Sequence, residues 1–435
     1  LHRIVALIVA LVVSAFPMSA CTSQKAQKDD NTGTAVTPME YTMDGSSTRY
    51  TGKSINLPIA GVTLQLAVKS QSGAFLYGLS DDGNAHFFIY DCAKSMITET
   101  FSFGSDKAEA IAASPDGRLH VLKIDEDGNY FIISAAPDGG MTHLNPDFDD
   151  YVGDIVYTFY ASNNGFFFQL SHGVIAVSAG GKIVQDYGEH SGGETVLVFD
   201  NKTCLVQIGM QQNVPGSLQN DGTVIAELNE DFSIGQSYNV GQLFTAFYPG
   251  EDRQVLALMN NTLYVYDPAA GKSTALVNLL TSSMDTTELV CLGDETFLTL
   301  QRGVPYVWQP APNDETAIIT LATYNLSYDM EYVIRAFNQS GGAYTISTID
   351  YADYDTYDSA NSGMTKLNAD IISGKATDIH DLSYFSAESF AEKGLLELIT
   401  PPAELAGGRH VYHQYVIRAQ RRDELQKFLG ERGVT

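Results

Sequence analysis

The chain has 435 residues and a formal net charge of −27, from 25 basic and 52 acidic residues. This excess of carboxylates argues against duplex nucleic acid as a partner, because binding to phosphates requires clustered lysine and arginine side chains. The length predicts two or three domains, and a hydrophobic content of 44% is sufficient for packed cores.

Residues 1–20 have the pattern of a secretion signal that is removed from the mature protein. Their apolar run, residues 4–16, is too short to cross a bilayer, which takes about 20 residues. The phrase Met18-Ser19-Ala20-Cys21 resembles the lipobox of bacterial lipoproteins. The resemblance implies lipidation of Cys21 and an extracytoplasmic protein held on the bacterial cell membrane by its lipid anchor. An ordinary secretion signal with a chance cysteine at position 21 is the alternative.

Residues 21–53 begin with a polar sequence that lacks apolar periodicity, and we expect a flexible tether. Short apolar runs separated by turn signals then fill residues 54–310 and predict β-strands. The turn signals at 80–84, 114–117 and 125–129 contain Asp-Gly steps, where glycine accepts the positive φ of a tight hairpin.

One apolar phrase recurs along residues 54–310 at intervals of roughly 42 to 45 residues, the spacing of four-stranded propeller blades. Its clear copies are Phe88-Ile89-Tyr90-Asp91, Phe131-Ile132-Ile133-Ser134, Ile175-Ala176-Val177-Ser178, Tyr264-Val265-Tyr266-Asp267 and Tyr306-Val307-Trp308-Gln309. A further copy near residue 220 is blurred. The repeats predict a mainly β chain with a β-propeller of six, or seven, blades. A pair of β-sandwiches with accidental spacing is the alternative.

Residues 311–402 alternate strands with helices after a linker that contains two prolines. The pattern predicts strands at 318–324, 344–351 and 379–382 and helices at 329–338, 363–373 and 386–398. The inward-facing positions of the first two helices are Met330, Val333, Ile334, Phe337, Met364, Leu367, Ile371 and Ile372. This order predicts a parallel sheet with right-handed crossovers.

The phrase at 366–382 resembles the first lobe of bacterial extracellular solute-binding proteins, the sugar-binding class of ABC importers. In that family a helix ending in glycine precedes a Pro-Asp-Ile strand. Here Gly374 ends the helix, and Thr377 stands where the family has proline. Segments 335–338 and 390–398 also fit the family. The resemblance implies a partial α/β periplasmic-binding-protein-like lobe, because the second lobe and the hinge have no counterpart.

The resemblance also implies a place for the ligand, since open α/β sheets bind ligands at the carboxyl ends of their strands. Candidate ligand-binding residues are Tyr324, Asn325, Asp381 and Tyr384. An aromatic ring can stack on a sugar, and a carboxylate or amide can bind its hydroxyls. Ordinary strand-end residues are the alternative for each of them.

Residues 403–435 differ in composition, with six Lys or Arg against four Asp or Glu. Segments 409–418 and 422–434 are similar to the small-domain region of sugar aminotransferases that use pyridoxal phosphate. That family's cofactor domain and Schiff-base lysine have no counterpart, so the resemblance implies no aminotransferase activity. A solute-binding segment followed by an aminotransferase-like segment suggests a chimeric or truncated chain.

Taken together, these features predict a membrane-anchored lipoprotein related to the substrate-binding components of ABC importers, without enzymatic activity, cofactor or metal. Its partners would be the membrane, an ABC permease and a sugar or similar solute, and not nucleic acid. The alternative is a β-propeller surface interaction protein that binds a protein or glycan on its blade-loop face. A propeller hydrolase or lyase is a second alternative, for which no convergent set of carboxylates is visible.

Overall fold

A computed structural model describes residues 48–99, 103–104, 106–148, 151, 154–188, 193–208, 223–311, 317–340, 342–356, 359–375, 377–381, 397–398 and 416–417. Residues 1–47 lie outside this range, and with them the predicted signal, the lipidation residue Cys21 and most of the tether. Tyr384 and nearly all of residues 403–435 also lie outside the described residues.

Six four-stranded antiparallel sheets follow one another along the chain and form six blades. The first strand, β1 (Tyr50–Ser54), belongs to the last blade. Blade 1 contains β2 (Val62–Ser70), β3 (Gly73–Ser80), β4 (Ala85–Asp91) and β5 (Met96–Glu99). Blade 2 contains β6 (Ala110–Ala113), β7 (Leu119–Ile124), β8 (Tyr130–Ala135) and β9 (Met141–Leu144). Blade 3 contains β10 (Val156–Ala161), β11 (Gly165–Leu170), β12 (Gly173–Ser178) and β13 (Ile183–Asp186).

The second half of the propeller continues the same pattern. Blade 4 contains β14 (Glu194–Phe199), β15 (Lys202–Gln207), β16 (Thr223–Leu228) and β17 (Ile234–Val240). Blade 5 contains β18 (Ala246–Pro249), β19 (Val255–Met259), β20 (Thr262–Asp267) and β21 (Lys272–Asn278). Blade 6 contains β22 (Val290–Gly293), β23 (Thr296–Gln301), β24 (Val304–Pro310) and, as its outermost strand, β1. A one-turn helix, α1 (Leu279–Ser282), connects blades 5 and 6.

The six innermost strands, β2, β6, β10, β14, β18 and β22, contact one another in this order, and β22 contacts β2. This ring is a closed six-bladed β-propeller, and it confirms the predicted fold and blade number. The recurring apolar phrase is the third strand of each blade, and the blurred copy near residue 220 is β16.

The propeller core consists of six clusters, one at each interface between neighbouring blades. The middle strands of a blade are therefore buried on both faces, as Ile175 and Ala176 in β12 illustrate. A strand buried on both faces reads as a continuous apolar run rather than an alternating one. This explains why the third strands were visible as a sequence repeat.

The three predicted Asp-Gly hairpins have the expected geometry. Gly83, Gly117 and Gly128 have φ values of 83°, 87° and 87°. Their N–H groups donate to Ser80, Ser114 and Asp125, respectively, at 2.8–3.1 Å. Glycine is required there because a residue with a side chain rarely adopts this conformation.

Closure of the ring depends on β1, which pairs antiparallel with β24 from Tyr50–Pro310 to Ser54–Tyr306. The boundary predicted between tether and propeller, at residue 53, therefore lies inside β1. The strand was missed because it lacks the alternation of buried and exposed side chains that marks a half-buried strand. Tyr50 is buried, and the next four residues are exposed. The Tyr50 N–H donates to Ser282 Oγ at 3.0 Å, which ties β1 to α1.

Residues 317–381 form a β-α-β-α-β unit. It contains β25 (Ala317–Thr323), α2 (Tyr328–Gln339), β26 (Tyr344–Asp350), a 3₁₀ turn (Tyr351–Tyr354), α3 (Ser362–Ile372) and β27 (Ile379–His380). β25 pairs in parallel with both β26 and β27. Two further short strands, β28 (Glu397–Leu398) and β29 (Val416–Ile417), extend the sheet antiparallel beyond β27.

Two details of this unit differ from the sequence prediction. Ile372 is 82% exposed, because α3 ends at this residue and turns it away from the face that buries Leu367 and Ile371. The helix predicted at 386–398 does not include its last two residues, which form β28. The inward face predicted for α2 packs as expected, with Val333 and Ile334 buried. Nothing in the described residues supports identification of the unit as a solute-binding lobe.

Candidate binding surfaces of the propeller

Antiparallel strand order places the propeller loops on two faces. We call "first face" the one that carries the loops between the second and third strands of each blade and the connections between successive blades. The "second face" carries the loops between strands one and two and between strands three and four.

The α/β unit packs against the first face of blades 4–6. Asn338 Nδ2 donates to the Leu280 carbonyl at 2.9 Å, and Arg335 donates to the Met284 carbonyl at 2.7 Å. Leu280, fully buried, belongs to a cluster with residues of the sheet and of α2. Thr356 forms a bridge with Gln242 in the connection between blades 4 and 5.

A buried carboxylate joins the two units. Asp353, 1% exposed, accepts a hydrogen bond from Tyr264 Oη at 2.8 Å and another from Asn260 Nδ2. Burial, together with the nearby Asp350 charge, raises the pKa of Asp353 well above its usual range. Asp350 is also buried, and it accepts the N–H groups of Asn325 and Leu326, both at 2.9 Å.

Three of the four predicted ligand-binding residues, Tyr324, Asn325 and Asp381, follow the carboxyl ends of the parallel strands, as expected from topology, and Tyr384 lies outside the described residues. Tyr324 uses its hydroxyl within the protein, as a donor to Asp355 and to the Ala360 carbonyl. Asn325 has φ 58° and anchors the chain through its N–H on Asp350. Asp381 accepts from Thr323 Oγ1 at 3.3 Å. The side chains of Tyr324 and Asp381 therefore make contacts inside the unit, and whether any of the four residues binds a ligand stays a prediction.

The first-face loops of blades 1–3 are acidic. Their described residues include one lysine, Lys107, which lies 3.8 Å from Glu109. The exposed carboxylates there are Asp81, Asp82, Asp106, Glu109, Asp125, Glu126, Asp127 and Asp147. The second face is mixed in charge, because its loops also carry Lys94, Arg118, Lys182 and Arg253.

Blade 3 adds apolar and aromatic groups to this acidic surface. Ile155 and Tyr157, at the entrance to β10, are 59% and 62% exposed. Nearby, Tyr151 stacks on His172 with ring centroids 4.9 Å apart. His172 Nδ1 lies 3.1 Å from Asp154 Oδ2, and the Tyr151 hydroxyl donates to Asp186 at 2.9 Å. Exposed aromatic and apolar groups beside exposed carboxylates are the surface composition expected of a site for cationic partners.

Polar side chains also occur on or next to the innermost strands of several blades. Glu288, in the connection that enters β22, accepts the N–H of Ala67 from the innermost strand of blade 1 at 3.0 Å. Tyr160 and Thr195, on the innermost strands of blades 3 and 4, are hydrogen-bonded at 3.0 Å. Burial raises the pKa of Tyr248 on β18, and a hydrogen bond from Thr286 opposes this shift. We call Glu288, Tyr160 and Tyr248 the axial group.

Blade 2 contains a buried serine–histidine pair whose hydrogen bonds do not suit nucleophilic catalysis. Ser114 Oγ donates to Asp116, so His120 Nε2, at 2.8 Å, must donate to Ser114. Ser134 Oγ then donates to His120 Nδ1 at 2.7 Å. A catalytic histidine must instead accept the proton of the serine. Burial lowers the pKa of His120 to about 4, so the ring is neutral and links β7, β8 and the hairpin between β6 and β7.

The axial group and the acidic first face were not found from the sequence. Tyr160, Tyr248 and Glu288 come from different blades, and no local motif connects them. The acidic turns were recognised only as hairpins, although their shared place on one face follows once the blade repeat is known.

Within the part of the chain that the structure describes, no three His, Cys, Asp or Glu side chains are grouped so as to hold a metal ion. The described helices are also all too short or too polar to span a bilayer. The cysteines at 92, 204 and 291 are free thiols, and those at 204 and 291 are buried.

No protein-family model matches the chain. A curated relative, the Pleiotropic regulatory protein of Geobacillus stearothermophilus, is 51% identical over 43 residues. The match covers 10% of this chain and 12% of the length of that relative.

Solved structures that overlay on the chain are propellers at low identity. The Pan2 WD40 domain of Neurospora crassa is 13% identical and covers 63% of this chain and 98% of its own, with a TM-score of 0.37. Virginiamycin B lyase of Staphylococcus aureus is 14% identical, with 60% and 99% covered and a TM-score of 0.37. YCF48 bound to D1 peptide is 7% identical, with 60% and 97% covered and a TM-score of 0.37. The six-bladed fold itself rests on the strand pairing described above.

Proposed function

We propose that the protein is a β-propeller interaction protein that binds a basic partner, a protein segment rich in lysine or arginine, through the first face of blades 1–3. The observation that carries the proposal is the one-sided charge of that face. Its loops present carboxylates with a single lysine among the described residues, next to the exposed Tyr157 and Ile155. Complementary charge accelerates association and selects against acidic partners.

The docked α/β unit supports this choice of surface. Its hydrogen bonds with the propeller involve the connections of blades 4–6, and these occupy the first face on that side. Because the described contacts of the α/β unit lie on blades 4–6, a partner can still reach the acidic loops of blades 1–3 on the same face.

The test is selection of peptides from a random library on the immobilised full chain, followed by measurement of their affinity. The variant Asp81→Asn/Glu126→Gln/Asp127→Asn removes three exposed first-face charges. A matched variant, Glu230→Gln/Asp252→Asn/Glu295→Gln, removes three exposed charges from the second face. We expect the selected peptides to be basic and the first-face variant alone to weaken binding about tenfold, or about 1.4 kcal/mol.

Selected peptides without basic residues, or equal affinity for both variants, would contradict the proposal. Binding of neutral glycans from an array, retained in the first-face variant, would point to the glycan alternative instead. Weaker binding at higher salt is a further expected result, because these charges are exposed to solvent.

The lipid anchor forms a separate part of the proposal, supported by the lipobox-like phrase at Cys21. We expect a bacterial host to incorporate labelled palmitate into the chain and Cys21→Ser to abolish the label. Label retained in that variant would exclude acylation at this cysteine. The role of a sugar-importer component has no support beyond the sequence resemblance, and we do not extend the proposal to it.

A further inference from the structure

His172 lies on the first face, in the loop between β11 and β12, where two carboxylates flank its ring. Its Nδ1 atom lies 3.1 Å from Asp154 Oδ2, in the connection that enters β10. Its Nε2 atom lies 3.9 Å from Asp186 Oδ2, at the end of β13. The ring of Tyr151 stacks on the imidazole, with centroids 4.9 Å apart. Separate segments of blade 3 therefore meet at one histidine.

Hydrogen bonds from other groups hold both carboxylates in place. Asp154 accepts the hydroxyl of Ser171 through its Oδ1 atom, which leaves Oδ2 facing the imidazole. Asp186 accepts the N–H of Gly188 at 2.8 Å through Oδ1 and the hydroxyl of Tyr151 at 2.9 Å through Oδ2. The two negative charges thus face the ring from positions that do not depend on the ring itself.

A neutral imidazole cannot match both of these carboxylates. It carries one N–H, so its other nitrogen presents a lone pair, whereas an imidazolium donates from both nitrogens. Both nitrogens of His172 are shielded from solvent, and neither completes a hydrogen bond within the described residues. In the same part of the chain, no lysine or arginine forms an ion pair with Asp154 or Asp186. The neutral site therefore lacks a positive charge, which a proton on His172 would supply.

A cationic side chain of a partner can supply this charge instead. The side chains of His172, Asp154 and Asp186 are 33%, 28% and 43% exposed, so a molecule docked on the first face can reach both carboxylates. A lysine ammonium or an arginine guanidinium forms strong charge-assisted hydrogen bonds with carboxylates. An imidazolium between the same carboxylates would repel it. The proton and the cation therefore compete for one site.

We propose that Asp154 and Asp186 anchor a lysine or arginine side chain of the first-face partner, and that protonation of His172 releases it. This inference rests on the proposed function, because it gives the basic partner a defined contact on blade 3. Histidine ordinarily gains its charge between about pH 5 and 8. Binding should therefore be strong at pH 7.5 and weaker at pH 5.5.

The test measures the affinity of the full chain for blocked pentalysine and pentaarginine peptides at pH 7.5 and 5.5. Calorimetry at constant ionic strength gives the dissociation constants, and blocked pentaglutamine is the uncharged probe. The variant His172→Gln has no titratable ring, and His143→Gln, at an exposed position of β9, is its control.

A second pair of variants tests the carboxylates. Asp154→Asn/Asp186→Asn removes both charges, while the amide oxygens can still accept the hydrogen bonds of Ser171 and Tyr151. Glu230→Gln/Asp252→Asn removes two exposed charges from the second face and is the matched control.

We expect the wild type and both controls to bind the basic peptides at least about threefold more weakly at pH 5.5, because one positive charge is added beside the bound cation. His172→Gln should lose this pH dependence. Asp154→Asn/Asp186→Asn should bind about tenfold more weakly at pH 7.5. Ordinary carboxylates are ionised at both pH values and do not produce the difference. Preference for pentalysine or pentaarginine identifies the side chain that is bound.

The outcomes separate this inference from the proposed function. If neither basic peptide binds at pH 7.5, or if pentaglutamine binds equally, both fail. Binding that the variant Asp81→Asn/Glu126→Gln/Asp127→Asn weakens, but that is independent of pH and retained in Asp154→Asn/Asp186→Asn, would overturn the anchor alone. Equal pH dependence in His172→Gln and the wild type would also overturn it. An unchanged unfolding midpoint of each variant would show that lost binding is not lost folding.

Discussion

Asp353 is a single residue through which pH acts on the contact between the two units. Its pKa is raised mainly by burial, so the folded protein binds the proton more tightly than the unfolded chain. The stabilising contribution of protonated Asp353 is complete below its ordinary value of 3.8 and is lost as the pH rises through the raised value. The contact between the α/β unit and the propeller should therefore weaken toward alkaline pH.

The substitution Asp353→Asn is expected to remove this dependence. Because the amide stays neutral, the free energy of unfolding at pH 8 should exceed that of the wild type by about 1 kcal/mol or more. Denaturant unfolding at pH 5 and pH 8 measures the difference, and Asp329→Asn on the exposed start of α2 serves as control. An Asp353→Asn profile parallel to that of the wild type would refute the assignment.

The pKa shift of His120 has the opposite sign to that of Asp353, so it makes the protein less stable toward acid pH. Burial lowers its pKa from 6.5 to about 4, so its stabilising contribution is present above 6.5 and is lost as the pH falls toward 4. The full effect is about 3 kcal/mol. We expect His120→Gln to flatten the acid limb of propeller unfolding, measured by circular dichroism, while His143→Gln, an exposed histidine, leaves it unchanged. Equal acid sensitivity of the two variants would argue against a buried neutral His120.

At the scale of residues, candidate sites could be predicted from the sequence only where the residues follow strands that are close together in the chain. The predicted topology placed Tyr324, Asn325 and Asp381 at strand ends, where the structure has them, but it could not foresee that Tyr324 bonds Asp355. Their role in ligand binding stays a prediction. The axial group contains residues far apart in sequence, such as Tyr160 and Glu288, which lie on or beside the innermost strands of different blades. Such an arrangement is a property of the closed ring and not of any window along the chain.

The closing strand β1 is the element on which the integrity of the ring depends most directly. A Cβ atom at Gly52 would lie 2.6 Å from the ring of Trp308, which is buried against β1. Gly52→Ala should therefore destabilise the propeller by about 1–3 kcal/mol, because the indole cannot move freely in a packed core. Trp308 is the only tryptophan of the chain, so its fluorescence reports on this site directly.

The expected signature is a red-shifted Trp308 emission with a lower unfolding midpoint, since a displaced β1 admits water to the indole. Lys53→Ala changes the neighbouring exposed position of the same strand and should alter neither quantity. Native emission and stability in Gly52→Ala would show that β1 does not seal blade 6 as described.

At the scale of elements, helix faces and third strands were predictable because each carries its own periodicity. The face of α2 was found from its 3.6-residue spacing, and Val333 and Ile334 are buried as predicted. β1 was not predictable, since its pairing partner β24 lies more than 250 residues away and four of its five side chains are exposed. Its place is determined by ring closure, which no local pattern encodes.

At the scale of the whole molecule, α1 connects the cores of the two units. Leu279 packs into the cluster between blades 5 and 6, whereas Leu280, the next residue, packs into the cluster of the α/β unit. Both side chains are buried, at 4% and 0% exposure. Adjacent residues of the same type thus belong to different cores, which offers a matched pair of substitutions.

Truncation of a buried leucine to alanine costs about 2–5 kcal/mol, and the two variants should lose this energy in different places. Leu280→Ala should increase hydrogen exchange in α2 and β26 while the amides of blades 1–3 keep their protection. Leu279→Ala should instead increase exchange in β21 and β22. If both variants loosen the same elements, the two cores are not separately packed, and α1 would then be part of one cooperative unit that unfolds together.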